Sequence, residues 1–225
     1  MNKKLGEGLI FTISNYLWWF ILGNFYFILL NLPMTILMFC LLTGIISSPT
    51  PWLVALCSIP MGPALTALLG AMGKLLREKD VNITHDFFKA YKNSFKQSIF
   101  LWTIEVVALL AIYVDIQYIL LARQHIFVYF FYGLAFYILQ VGMYALCIIS
   151  RFYLKTSVIF RISCGYTLRH FKTPIMNLCL FITVGFIFYN QPALSILFLM
   201  SLFCYCLMYS NNKILNNIEE EFLRL

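Results

Sequence analysis

The chain has 225 residues, of which 62% are apolar and 11% charged, and its formal net charge is +7. Soluble domains use about half apolar and a quarter charged residues, so the composition excludes an ordinary water-soluble fold and indicates a membrane protein. The basic residues lie between apolar segments rather than on one continuous face. This distribution argues against a nucleic-acid partner and for membrane lipids as the partner of these charges.

The first charge-free run, residues 8–73, is too long to be one transmembrane helix. It would extend about 100 Å, against a hydrocarbon core of about 30 Å. The proline-bearing stretch 47–51 predicts a turn, because proline disfavours helix in its own residue and the one before it. We therefore expect a first span within residues 16–46 and a second within 52–73. The first is too long for a straight crossing, and Pro33 either kinks it or begins an interfacial segment.

Four further spans follow from the later apolar runs. Spans three and four are expected at 98–122 and 126–149. The charge-free run 173–212 would reach about 60 Å as one helix, so it predicts two short spans at 174–189 and 192–210. The predicted fold is therefore an all-α, polytopic transmembrane bundle of about six spans, forming a single membrane domain over residues 1–225.

The placement of basic residues predicts the orientation of this bundle. Cytoplasmic segments next to spans are enriched in Lys and Arg. With six spans, fifteen of the sixteen basic residues fall on one side, and only Arg123 falls on the other. We therefore expect cytoplasmic N- and C-termini and cytoplasmic connections at 74–97 and 150–173.

These two connections are the candidate cytoplasmic contact surfaces. Connection 74–97 has the amphipathic pattern of an interfacial helix, which Thr84 is placed to cap, with an apolar arc of about 100° beside lysines. Its pattern residues are Phe87, Phe88, Lys89, Tyr91, Lys92, Phe95 and Lys96. In the other connection the candidate contact residues are the basic residues Arg151, Lys155, Arg161 and Arg169. Each segment is expected either to rest on the anionic inner leaflet or to dock a cytoplasmic partner.

Three polar residues within the predicted spans form a candidate intramembrane site. Ionisable residues in spans usually face a protein interior, a cavity or a partner, and many are functional. Glu105 is near mid-depth and has either a packing role or a role as a substrate or proton site. Asp115 is nearer the outer end, where Arg123 or water can relieve its charge. Gln140 in span four is a candidate neighbour of Glu105.

A stripe of small residues in span two predicts close helix packing rather than ligand binding. It consists of Pro60, Ala64, Ala67 and Ala71. Catalytic signatures are not recognisable: the sequence has no phosphate-binding glycine loop, nucleophile elbow or HExxH pattern. The three histidines lie in different connections, and the seven cysteines form no CxxC pair. We expect no enzyme activity, no cofactor and no metal site.

Two motifs carry a family resemblance. Gly62-Pro63-Ala64-Leu65-Thr66-Ala67-Leu68, followed by the segment from Asp86-Phe87-Phe88 to Phe95-Lys96-Gln97, resembles the YesL-like family of bacterial integral membrane proteins. Asn31-Leu32-Pro33, Arg151-Phe152 and the approach from Thr167 to Pro174 fit the same layout, whereas the insertion between Pro33 and Gly62 is longer than in the family.

The resemblance implies a multi-pass protein of the bacterial cytoplasmic membrane whose molecular activity is not established. It supplies no catalytic residues, and it implies an association with carbohydrate uptake, particularly with ABC importers. Two hypotheses follow: a non-enzymatic accessory or regulatory subunit of a carbohydrate ABC importer, or a small transporter with Glu105 lining the substrate or proton path. The sequence shows no convincing internal repeat of the kind common in transporters.

Overall fold

The computed structural model describes residues 5–78, 81–122, 125–169 and 172–223. Throughout these ranges the regular structure is α-helical, which confirms the predicted all-α class. The helices in chain order are α1 (Leu5–Leu30), α2 (Leu32–Leu42), α3 (Pro51–Ser58), α4 (Met61–Glu78), α5 (Ile83–Leu121), α6 (His125–Arg151), α7 (Thr156–Arg169), α8 (Lys172–Asn190) and α9 (Pro192–Leu223).

The number of crossings agrees with a polytopic bundle. Five helices of the described ranges, α1, α5, α6, α8 and α9, are long and apolar enough to cross a membrane. Helices α3 and α4 pass the same test together, with a bend of 43° between them. Counted as one broken crossing, the pair brings the crossings in the described ranges to six, and counted as a re-entrant segment it leaves five.

The first span ends earlier than predicted. Its helix breaks at Asn31, so the crossing part of α1 is Thr12–Leu30 rather than 16–46. Pro33 lies in the first turn of α2 and cannot donate a helical hydrogen bond to the preceding turn. The buried Asn31 side chain donates its Nδ2 proton to the Phe27 carbonyl at 3.0 Å. With 11 residues, α2 is about 16 Å long and too short to cross.

The second span is broken within its first half, between α3 and α4, and is longer than the predicted 52–73. Helix α3 ends at Ser58 and α4 begins at Met61, with Pro60 between them. The break leaves the Ser58 carbonyl free, and Trp102 Nε1 of α5 donates a hydrogen bond to it at 2.7 Å. Such pairing is required because water cannot satisfy a backbone carbonyl in the membrane interior.

The predicted interfacial helix and the third span are one continuous helix. Helix α5 has 39 residues and a length of about 58 Å, well beyond a hydrocarbon core of about 30 Å. No glycine or proline interrupts it, so nothing ends the helix at the predicted boundary near residue 97. Its N-cap is Asn82, whose side chain accepts from the His85 amide, rather than the predicted Thr84.

The C-terminal half keeps the predicted pair of helices but extends the second one. Helices α6 and α8 have nearly the predicted bounds, whereas α9, which is 32 residues long, ends at Leu223 instead of at the predicted 210. After Pro192 no glycine or proline stops α9. The connection 150–173, predicted to lie along the inner leaflet, contains α7, whose residues Ile159, Ser163 and Thr167 are buried.

Helix α4 lies at the centre of the bundle, where small residues allow close approach. Ala64, Ala67 and Ala71 of the predicted stripe have no exposed surface, and Pro60 is half-buried. A Cβ at Gly62 would overlap the Trp102 side chain, so α4 and α5 are in contact there.

Helices α1 and α9 are joined by one buried amide. Asn24 of α1 is 1% exposed. Its Nδ2 donates to the Ile196 carbonyl at 2.6 Å, and its Oδ1 accepts from the Met200 amide at 3.2 Å. Both halves of the chain therefore contribute to one packed bundle.

Candidate functional site

The N-terminal part of α5 is held firmly at several points along its length. At its start, Lys74 Nζ lies 2.9 Å from Asp86 Oδ1, and the hydroxyls of Tyr26 and Thr84 are 3.0 Å apart. Further along, Gln97 Nε2 donates to the Leu154 carbonyl at 2.8 Å. These contacts tie α5 to α4, to α1 and to the connection after α6, so this segment is a fixed platform.

The exposed face of this platform, which we call the cytoplasmic ridge after the side of the membrane on which the sequence predicts it, combines lysines with aromatic side chains. It consists of Phe88, Lys89, Lys92, Phe95 and Lys96, all of which are exposed. Their spacings of three, four and seven residues place them on one side of the helix. The ridge therefore presents both positive charge and apolar surface to whatever lies beside it.

Two residues predicted for this surface face elsewhere. Phe87 is fully buried and packs against Tyr26, with ring centroids 5.6 Å apart, so its predicted role in lipid or partner contact is wrong. Tyr91 is half-buried. The sequence pattern predicts one exposed apolar arc formed by Phe87, Phe88, Tyr91 and Phe95. In the structure, part of that arc faces α1 and α4 rather than the surface.

Arg151 was also predicted as a surface contact, but it is bound within the bundle. Its side chain is 9% exposed and forms an ion pair with Glu219 of α9. Its Nη atoms donate to Asn216 Oδ1 at 2.8 Å and to Asn212 Oδ1 at 3.3 Å. Because these three acceptors repeat at helical spacing on α9, one arginine joins the ends of α6 and α9. The other three predicted contact residues of this connection, Lys155, Arg161 and Arg169, are exposed.

Within the membrane, Glu105 and Asp115 have different surroundings. Glu105 is 8% exposed, and its carboxyl lies against the backbone of Gly142 in α6. Asp115 is exposed near the outer end of α5. Arg123, which the sequence suggests as relief for Asp115, lies outside the described residues.

Gln140 is not paired with Glu105. It is two residues from Gly142, which turns its side chain about 200° around α6. There its Oε1 accepts from Asn177 Nδ2 of α8 at 3.3 Å, with both side chains buried. Sequence reasoning missed Asn177, although a lone amide in an apolar span is a recognisable signal for helix–helix hydrogen bonding.

Metal-binding geometry is not found in the part of the chain that the structure describes. No group of three His, Cys, Asp or Glu residues within it is arranged to hold a metal ion. His170 and the side chain of His125 lie outside what is described.

The comparisons with known proteins identify a family without a known activity. Residues 11–116 match the family model described as "Protein of unknown function, DUF624". No curated protein matches the chain, and no solved structure matches it. The matched segment contains the broken second span, the cytoplasmic ridge and Glu105, together with both motifs that resemble the YesL-like family. Over residues 11–116 the chain is therefore similar to the DUF624 family of proteins of unknown function, and this match agrees with the YesL-like resemblance.

Proposed function

We propose that this multi-pass membrane protein is a non-enzymatic accessory or regulatory subunit that docks a carbohydrate ABC importer through its cytoplasmic ridge. The observation that carries this proposal is the ridge itself. A helix continuous with a transmembrane span presents three lysines and two phenylalanines on one exposed face, while neighbouring helices hold it in place.

The fixed conformation of the ridge favours a docking role. A preformed surface loses little conformational entropy on binding, so its contacts contribute more fully to affinity. Aromatic side chains supply contact area, and lysines steer an acidic partner and fix its orientation. The importer as the partner, and the bacterial cytoplasmic membrane as the location, rest on the YesL-like resemblance.

Co-purification from native membranes in mild detergent tests the proposal. The wild-type protein is expected to bring down importer components, and the triple charge reversal Lys89→Glu, Lys92→Glu and Lys96→Glu is expected to lose them. The same reversal at Lys155, Arg161 and Arg169, the exposed basic residues of the second predicted contact surface, tests that surface separately. The control Lys213→Glu, at an exposed position of α9 outside both surfaces, is expected to retain the complex. A wild-type protein that brings down no importer component, and whose deletion leaves sugar uptake unchanged, would show the proposal to be wrong.

A second candidate function is transport by the chain itself, with Glu105 lining the substrate or proton path. The observation that favours it is a carboxyl buried between two transmembrane helices. In proteoliposomes, Glu105→Gln should then abolish substrate-dependent flux, whereas Asp115→Asn at the exposed carboxyl should not. Unchanged flux in Glu105→Gln would reject this role.

A further inference from the structure

Glu105 occupies a notch that exists because residue 142 is glycine. A Cβ at Gly142 would coincide with the Glu105 carboxyl group, so the carboxyl fills the space that any other residue would take. The side chain is 8% exposed, and among the described residues nothing donates a hydrogen bond to it or forms an ion pair with it. A carboxylate so deeply buried, with no polar partner among the described residues, is costly to keep charged.

The helices packed against α5 bring no charge to this notch. On α6 the nearest cation in sequence is Arg151, nine residues from Gly142 and already bound to α9. On α4 the charged residues are confined to the last turns, from Lys74 to Glu78, where α4 meets the start of α5. Helix α3 has no charged residue, and α1 has none between Thr12 and Leu30.

Other titratable side chains on α5 and α6 are also directed away from the Glu105 carboxyl group. On α5 itself the nearest charged residues are Lys96 and Asp115, which are about 14 Å away along the helix in opposite directions. On α6, Tyr137 donates its hydroxyl proton to the Cys164 carbonyl of α7. Tyr144, also on α6, is two residues from Gly142 and therefore on another side of that helix.

We propose that Glu105 is a reversible proton-binding site that controls the contact between α5 and α6. With its proton, the neutral carboxyl fits the notch at Gly142 and the two helices stay in contact. Without it, the carboxylate requires water or a cation, and α5 and α6 separate at this point to admit one. This inference does not depend on the accessory role, and it extends the second candidate function, because it concerns proton binding at Glu105 without requiring a transported substrate.

The decisive experiment compares the pH dependence of thermal stability in wild type and Glu105→Gln, both purified in the same detergent. Glutamine keeps the shape of the neutral acid but has no proton to lose. Because the folded state is the one that holds the proton, wild-type stability should fall relative to Glu105→Gln as the pH rises from mildly acidic to alkaline. All other titrating groups are shared, so their effects cancel in the difference. Parallel profiles of the two proteins would overturn the proposal.

A chemical probe in native membranes locates the protonated group. The O–H of a neutral carboxylic acid adds across one C=N bond of dicyclohexylcarbodiimide, and the resulting O-acylisourea rearranges to a stable N-acylurea on that residue. We expect mass spectrometry to find the adduct at Glu105, to a degree that decreases with rising pH. Asp115→Asn should leave this adduct unchanged, and Gly142→Ala should alter it because the added methyl group displaces the carboxyl. Labelling of Glu105 that is independent of pH would contradict the inference.

Discussion

At the scale of single residues, the bundle is held by polar groups that satisfy one another away from water. Trp102 donates to the carbonyl left free at the break in span two, and Asn24 bonds two backbone groups of α9. Sequence patterns identify such residues only as isolated polar or amphipathic positions in apolar runs. The partner of each depends on which helices become neighbours, and this explains why Asn177 was missed and Gln140 was assigned the wrong neighbour.

Replacing Trp102 tests how much its hydrogen bond at the break between α3 and α4 contributes to the stability of the protein. Trp102→Phe keeps an aromatic ring but leaves the Ser58 carbonyl without its donor, which should cost about 1–3 kcal/mol. The thermal unfolding midpoint in detergent should therefore fall. Trp18→Phe is the matched control, since Trp18 is 60% exposed, and it should change the midpoint little. Equal midpoints for the two variants would contradict the role of Trp102.

The contacts of Arg151 lead to a prediction about the C-terminal end of α9. Its bonds to Asn216 and Glu219 involve a charged donor, and such bonds contribute about 1.5–3 kcal/mol each. In Arg151→Ala, amide hydrogen exchange in residues 212–223 should accelerate about tenfold or more, because local opening becomes easier. Arg161→Ala removes an exposed arginine and serves as the control. Unchanged exchange in Arg151→Ala would mean that this contact does not hold the helix.

At the scale of elements, the main difference between prediction and structure is the continuity of α5. Hydrophobicity changes near residue 97, and that change predicted a boundary between a surface helix and a span. Helix boundaries are set by backbone chemistry, and no proline, glycine or cap is present there. The same reasoning explains why α9 runs past its predicted end. The break between α3 and α4 has such a backbone cause, because Pro60 and Pro63 interrupt helical hydrogen bonding directly.

A proline substitution at residue 97 distinguishes a continuous α5 from a surface helix and a span with a boundary at this residue. If α5 is continuous, Gln97→Pro places proline in a helix interior and should cost about 3 kcal/mol or more. Gln97→Ala is the control, because it removes the bonds to Leu154 and Thr156 but keeps the helix. The proline variant should unfold at a clearly lower temperature than the alanine variant. Equal unfolding temperatures would support a boundary at this residue.

At the scale of the whole molecule, composition and charge were sufficient to predict an all-helical bundle with about six crossings. They could not show that one crossing is built from α3 and α4 with a bend of 43° between them. If this pair crosses, the segments after residues 78 and 151 lie on the side rich in basic residues. If it turned back instead, both segments would lie on the opposite side.

Reporter fusions determine this topology directly. Alkaline phosphatase joined after residue 122 should be active outside the cytoplasm, whereas fusions after residues 78 and 154 should be inactive. A green fluorescent protein at the same positions should give the reverse pattern, which controls for expression. Active phosphatase after residue 78 would show that α3 and α4 form a re-entrant segment and would place the cytoplasmic ridge on the wrong side for docking.

The most direct test of the central claim is photo-crosslinking from the cytoplasmic ridge in living cells. A benzophenone amino acid placed at Lys92 lies on the ridge, and one at Lys213 lies on an exposed position of α9. After irradiation, we expect the Lys92 position to form a covalent adduct with a component of a carbohydrate ABC importer and the Lys213 position to form none. Adducts with lipid alone at Lys92, or the same protein adduct at both positions, would contradict docking through the ridge.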